Sequence, residues 1–249
     1  MFINDIHIFW YVGIGLLGLL VGRILDLVNK NLASHKTILS IDTLKNYLKN
    51  TPANYKLMLV VSVIYIALLR VIGFEDKIQI ISFIIIIPML IVAFCIDFKH
   101  QIIPNRLTLT MLEVGLIFSF IRGINNIYVA FEMWLGMIVG AGIFLILTVV
   151  GNLIFRKETM GFGDVKLMGA LGLLFGWRCI IAISILSFFI AAIYSVILII
   201  KNKIKKQDIE EFIPFGPFIV VASFIIMFVP LDVLIKIIFW VFTLGKIKW

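Results

Sequence analysis

An all-α bundle of about eight membrane-crossing helices is the fold class this chain predicts, and two observations predict it. Hydrophobic residues make up 62% of the 249 and charged residues 14%, with a mean hydropathy of +1.15. No ordinary soluble domain of this size carries that balance. The apolar residues also fall into separate runs, most of them near the roughly 20 residues that a helix needs to cross a hydrocarbon core.

In chain order the long runs are Ile6 to Val28, Leu57 to Ile72, Ile78 to Ile96, Leu107 to Ile121, Val129 to Phe155 and Cys179 to Ile200. Val165 to Trp177, which is glycine-rich, and Pro214 to Val229, which prolines bracket, bring the count to eight. Leu231 to Leu244 carries Asp232 and Lys236 and is expected to lie at the interface. The first run has no basic leading region and no small-residue cleavage site, and Arg23 and Asp26 interrupt its far end. It is therefore expected to stay as a membrane helix rather than be cut away as a signal.

Threading eight spans alternately puts fifteen of the 22 lysines and arginines on one side and four on the other, with three in the tail. The positive-inside rule makes the first side cytoplasmic. The formal net charge of +8 is then mostly a topology signal, so the bilayer is the expected partner and nucleic acid is not. Residues 1–249 are expected to form a single integral membrane domain. The connection at 29–56 is the longest on the cytoplasmic side, and Ile38, Ile41, Leu44, Tyr47 and Leu48 suit either a short amphipathic helix on the inner leaflet or a plain tether. The two cysteines, Cys95 and Cys179, sit near opposite helix ends, which argues against a disulfide and leaves no four-thiolate zinc site.

Two carboxylates stand where the apolar pattern least tolerates charge. Asp97 closes the run ending at Ile96, and Asp164 lies in Gly161-Phe162-Gly163-Asp164 just before another apolar run. Ionisable groups at membrane depth are costly, and a pair of them is a site hypothesis by default. Both fall on the side that the lysines and arginines mark as cytoplasmic. Pro104 disfavours helix at Ile103, so Asp97 should end one helix and a new helix should begin after Pro104. There the anion meets the negative end of a helix dipole, though Lys99 or Arg106 could offset it. Asp164 has a plain alternative, an N-cap preceded by turn glycines. Gly161 and Gly163 also let backbone approach closely, which would clear a groove for a neighbouring helix or a peptide.

If packing brings the carboxylates together, they cannot both ionise cheaply, and one should hold a proton while the other stays charged. That state hydrolyses an amide: one member takes a proton from water and the other polarises the scissile carbonyl. No metal is required. Lys166 is placed either to tune the pair or bind peptide, or simply to snorkel to the surface. His7, His35 and His100 are scattered, and no His-Glu-x-x-His, Gly-x-Ser-x-Gly or phosphate-binding motif is present. The alternative class is a proton- or ion-coupled transporter, against which the clustering of the two acids at one face argues.

Asp97-Phe98-Lys99-His100-Gln101-Ile102-Ile103-Pro104-Asn105 resembles the first aspartate segment of the type IV prepilin peptidases, which are Gly-x-Gly-Asp intramembrane aspartyl proteases. Gly161 to Leu167 is similar to the family's second block, and Ile213-Pro214-Phe215-Gly216-Pro217-Phe218 to a third. Gly22, Leu25 and Val28 resemble an N-terminal block in which Arg23 and Asp26 replace serine and asparagine. The likeness runs from about residue 15 to about residue 220.

What the resemblance implies is cleavage of the short basic leader from prepilin or pseudopilin precursors at the cytoplasmic face of the bacterial inner membrane, with Asp97 and Asp164 as the catalytic pair. It casts Gly161, Gly163, Lys166, Pro104, Asn105, Pro214, Gly216 and Pro217 as substrate-binding or supporting residues. Many members bind zinc through two Cys-x-x-Cys pairs in the first cytoplasmic loop and methylate the new N-terminus with S-adenosylmethionine. Residues 29–56 contain no cysteine, so zinc is excluded there on ligand grounds and methyl transfer is in doubt. Peptide cleavage is expected to need no cofactor.

Overall fold

The computed structural model describes residues 2–3, 6–33, 54–73, 76–156, 160–205, 213–234 and 236. It divides into two compact units, residues 1–100 and 101–249. Apart from a two-residue antiparallel pair, Phe2–Ile3 with Ile6–His7, the described elements are helices. The amphipathic helix expected around Ile38 to Leu48, and most of the interfacial segment from Leu231 to Leu244, lie outside the described residues.

The first unit holds α1 (Ile8–Ala33), α2 (Tyr55–Ile72) and α3 (Lys77–His100). Lipid offers no hydrophobic drive for one apolar helix to pack on another, so close backbone contact has to hold them together. A stripe of glycines on α1 provides it. A Cβ added at Gly18 would lie 2.6 Å from the Ser62 Cα, and one at Gly22 would lie 2.6 Å from the Met58 Cα. The Ser62 hydroxyl then reaches across to donate to the Gly15 carbonyl at 2.9 Å.

Within α3, Pro88 interrupts the backbone ladder. Proline has no N–H to give the carbonyl four residues earlier, which is that of Ile84, and an unpaired carbonyl is costly where water is absent. The fully buried Tyr65 of α2 solves this by donating its hydroxyl to the Ile84 oxygen at 2.6 Å. A break in one helix is thus closed by its neighbour.

The second unit holds α4 (Asn105–Asn125), α5 (Ile127–Phe155), α6 (Phe162–Lys205) and α7 (Gly216–Phe228). Helix α6 is two helices run together, divided at Gly176, whose φ of 78° and ψ of 169° are not helical. Glycine alone adopts that backbone without strain. The two arms match the two apolar runs expected on either side of Trp177. Gly136 of α5 and Gly172 of α6 are so close that a Cβ on either would overlap the other's carbonyl, and a Cβ at Gly140 would lie 2.5 Å from the Met168 oxygen.

Each of the eight expected runs is mainly helical among the described residues, with Ile6 and His7 paired as strand and Pro214, Phe215 and Val229 outside α7. Among the described residues, and counting α6 once, six helices are long and apolar enough to cross a membrane. Helix α7 is shorter, 13 residues, or about 20 Å at the usual helical rise. An aromatic cluster seats it: the Phe215 ring lies 5.7 Å from Phe144 of α5 and 4.9 Å from Phe188 of α6, and Tyr194 lies 5.4 Å from Phe218.

Two stability measurements on detergent-purified protein test this packing. Tyr65→Phe is expected to cost about 1–2 kcal/mol by stranding the Ile84 carbonyl. In a Pro88→Ala background, where the N–H returns, the same change should cost well under half as much. Equal losses in both backgrounds would remove the proposed compensation. Gly172→Val is expected to prevent formation of the unit by driving a side chain into α5, whereas Gly142→Val, where an added Cβ meets nothing within 4 Å, should leave the melting temperature nearly unchanged.

Candidate active site

Asp97 sits in the last turn of α3 and is 4% exposed; Asp164 sits in the first turn of α6 and is 7% exposed. The two carboxylates therefore occupy unlike electrostatic settings, one at the negative end of a helix dipole and one at the positive end. Asp164 is not the residue before its helix but the third residue within it, and its amide donates to the Gly161 carbonyl at 3.1 Å.

The chain leaves α3 through Gln101, whose φ of 55° is left-handed, a conformation that costs a residue with a Cβ about 1–2 kcal/mol. Pro104 then stands in extended conformation (φ −62°, ψ 130°) and α4 begins at Asn105, the boundary expected from the proline.

Within the second unit, the Ile-Pro-Asn and Gly-x-Gly-Asp blocks are packed on each other. A Cβ added at Gly163 would lie 3.1 Å from the Ile103 Cβ, so glycine is what lets the two segments close. Lys166 Nζ donates to Asn105 Oδ1 at 2.8 Å. At Gly161 an added Cβ would meet Asp164 Oδ2 at 3.8 Å, an ordinary contact that crowding does not forbid. Pro104, Asn105, Gly161, Gly163, Asp164 and Lys166 thus form one neighbourhood. Pro214, Gly216 and Pro217 belong instead to the start of α7, where Gly216 and Pro217 are buried and the adjoining Phe215 and Phe218 enter the aromatic cluster.

In the first unit, a cavity of about 500 Å³ lies beside the last turns of α3, lined by Asp26, Asn29, Asn54, Lys99 and His100 among others. Asp26 is 9% exposed and accepts from Asn54 Nδ2 at 3.4 Å. The sequence marked Asp26 as an interruption of the first apolar run and a departure from a family pattern, and the ionisable residue on an otherwise apolar helix was the signal that it lines a polar site. Glu113, exposed on the α4 surface, is a further acid within a span that the pairing argument left aside. His100 is exposed at the end of α3. Among the described residues no group of three or more His, Cys, Asp or Glu could hold a metal ion, and Cys95 and Cys179 are free thiols, one in each unit.

An all-helical, multi-pass membrane protein with buried acids in the terminal turns of two helices defines a class, and comparison with known proteins narrows it. The Type IV leader peptidase family matches residues 84–196, which hold both aspartates. A prepilin leader peptidase/N-methyltransferase of Legionella pneumophila is 34% identical over 158 residues, 62% of this chain and 52% of that protein. The leader peptidase HopD of Escherichia coli is 31% identical over 149 residues, which is 56% of this chain and 92% of that protein. An Aeromonas salmonicida prepilin leader peptidase/N-methyltransferase is 33% identical over 131 residues, 52% of this chain and 43% of that protein. No solved structure matches.

The chain belongs to the type IV leader peptidase family, which makes it a multi-pass protein of the bacterial inner membrane. It spans about half the length of several curated relatives that it matches. The transporter alternative gains no support from these relatives.

Proposed function

We propose that this chain is an aspartic endopeptidase that removes the basic leader from prepilin or pseudopilin precursors at the cytoplasmic face of the membrane, with Asp97 and Asp164 as the catalytic pair. The observation that carries this reading is the burial of a carboxylate in the terminal turn of each of two helices, both inside the stretch of chain that the family matches. The relatives are named leader peptidases. Within the second unit, Ile103 packs on Gly163, next to Asp164.

In the proposed reaction, the ionised member of the pair takes a proton from water as the oxygen adds to the scissile carbonyl, and the protonated member donates to the carbonyl oxygen. Collapse breaks the C–N bond and the amine leaves with a proton. The unlike helix ends that carry the two carboxylates give the pair an asymmetry from which a shared proton can start. Asn105 and Lys166 position the peptide beside Asp164, Gly161 keeps its approach clear, and Gly163 and Pro104 set the spacing of the blocks. Pro214, Gly216 and Pro217 support the site by seating α7. Water and the two carboxylates complete the balance, so cleavage needs no cofactor. Methyl transfer, present in the names of several relatives, would require S-adenosylmethionine.

Purified protein and a leader-bearing substrate test the pair. Asp97→Asn and Asp164→Asn are each expected to abolish cleavage while the melting temperature holds, because the amide keeps the shape but cannot exchange the proton. Processing by either variant at near wild-type rate would reject the assignment. Gly163→Ala must push Ile103 aside by a few tenths of an ångström and is expected to slow cleavage by roughly tenfold, less than the hundredfold of an ångström-sized misplacement. Gly161→Ala should stay within about threefold of wild type, since its added methyl makes only an ordinary contact.

A further inference from the structure

Helices α4 and α5 are closest at their connecting turn, where a Cβ on Gly123 would lie 3.0 Å from that of Ala130 and Phe120 meets the Trp134 ring edge-on at 6.3 Å. Toward their other ends the first turns of α6 pack beside them, with Gly169 against Ala141. A groove of about 830 Å³ is left between the three helices. Leu109, Ile138 and Leu145 line it and are exposed, and Gly142 forms an open stretch of its wall.

One end of this groove is polar and of a single sign. Arg106 and Lys166 line it with Asn105, no acidic side chain does, and among the described residues neither cation forms an ion pair. In a bilayer the apolar stretch has to be filled by hydrocarbon, while the two cations attract an anion. A zwitterionic headgroup brings its own ammonium and gains little. A basic peptide segment is repelled. Basic pockets between membrane helices select anionic headgroups.

We propose that the α4–α5–α6 groove binds one anionic phospholipid of the surrounding membrane, with its phosphate between Arg106 and Lys166 and an acyl chain along Ile138, Gly142 and Leu145. This site shares Lys166 and Asn105 with the residues proposed to position the peptide, and its test reads lipid retention rather than cleavage.

Delipidated protein in detergent, titrated with phosphatidylglycerol or phosphatidylcholine of matched chains and read by native mass spectrometry, tests it. The expected result is one phosphatidylglycerol retained per chain at concentrations roughly tenfold or more below those needed for phosphatidylcholine. Arg106→Gln with Lys166→Gln should erase that preference. Gly142→Phe, whose side chain enters the groove because its Cβ meets nothing within 4 Å, should remove the bound lipid of either kind with the melting temperature retained. Equal retention of the two lipids by wild type, persistence of the preference in the double variant, or displacement of the lipid by millimolar inorganic phosphate would each overturn the proposal. So would a Gly142→Phe protein that keeps its lipid but cleaves substrate slowly, which would assign the groove to a substrate helix.

Discussion

The backbone contact between Gly136 on α5 and Gly172 on α6 is the constraint on which the second unit depends. Neither residue leaves room for even a methyl group on the other, and in hydrocarbon such contact is the main source of helix adhesion. It fixes the first arm of α6 against α5, and that arm carries Asp164 in its opening turn. The Gly140 contact with Met168 continues the seam one turn toward the site. At Gly176 the seam ends and the chain resets its direction, so the second arm is free to pack on its own terms against the α7 aromatics.

The same economy of backbone polarity shapes the first unit. Pro88 withholds one hydrogen bond inside α3, and the Tyr65 hydroxyl restores it from α2. Asp97 lies in the last turn of α3, nine residues after Pro88, so in the helix that carries a candidate catalytic group a neighbouring side chain supplies the hydrogen bond that its own ladder lacks. The buried carboxylates lie at helix ends, where neighbouring backbone and the membrane boundary are within reach of a polar group. Burial there costs less than at the middle of a span.

Much of the architecture could be read in the chain, because a membrane span announces itself through length and apolarity alone. The runs around Leu57 to Ile72 and Val129 to Phe155 became helices with boundaries within a few residues of those expected. Pro104 marked the start of α4 correctly, since a ring that blocks helix at the preceding residue acts locally. Glycine was harder to interpret. Gly136 and Gly172 look like any other small residues in an apolar run, and only their mutual proximity shows that they are contacts rather than weak points. Asp26 stood out as an ion in a helix, but its cavity and its Asn54 partner depend on which face of α1 meets α2.

The sequence by itself determined the helical membrane architecture, the positions of the two acids at ends of apolar runs, and the family to which those blocks are similar. Each of these follows from composition and short-range order, which one strand of residues contains in full. Tertiary structure decided that Gly163 closes on Ile103, that Lys166 reaches Asn105, and that Tyr65 completes the ladder broken by Pro88. Those contacts join residues 19 to 61 positions apart in the chain, and such pairings are set by how helices rotate and approach one another, a property that no single helix encodes.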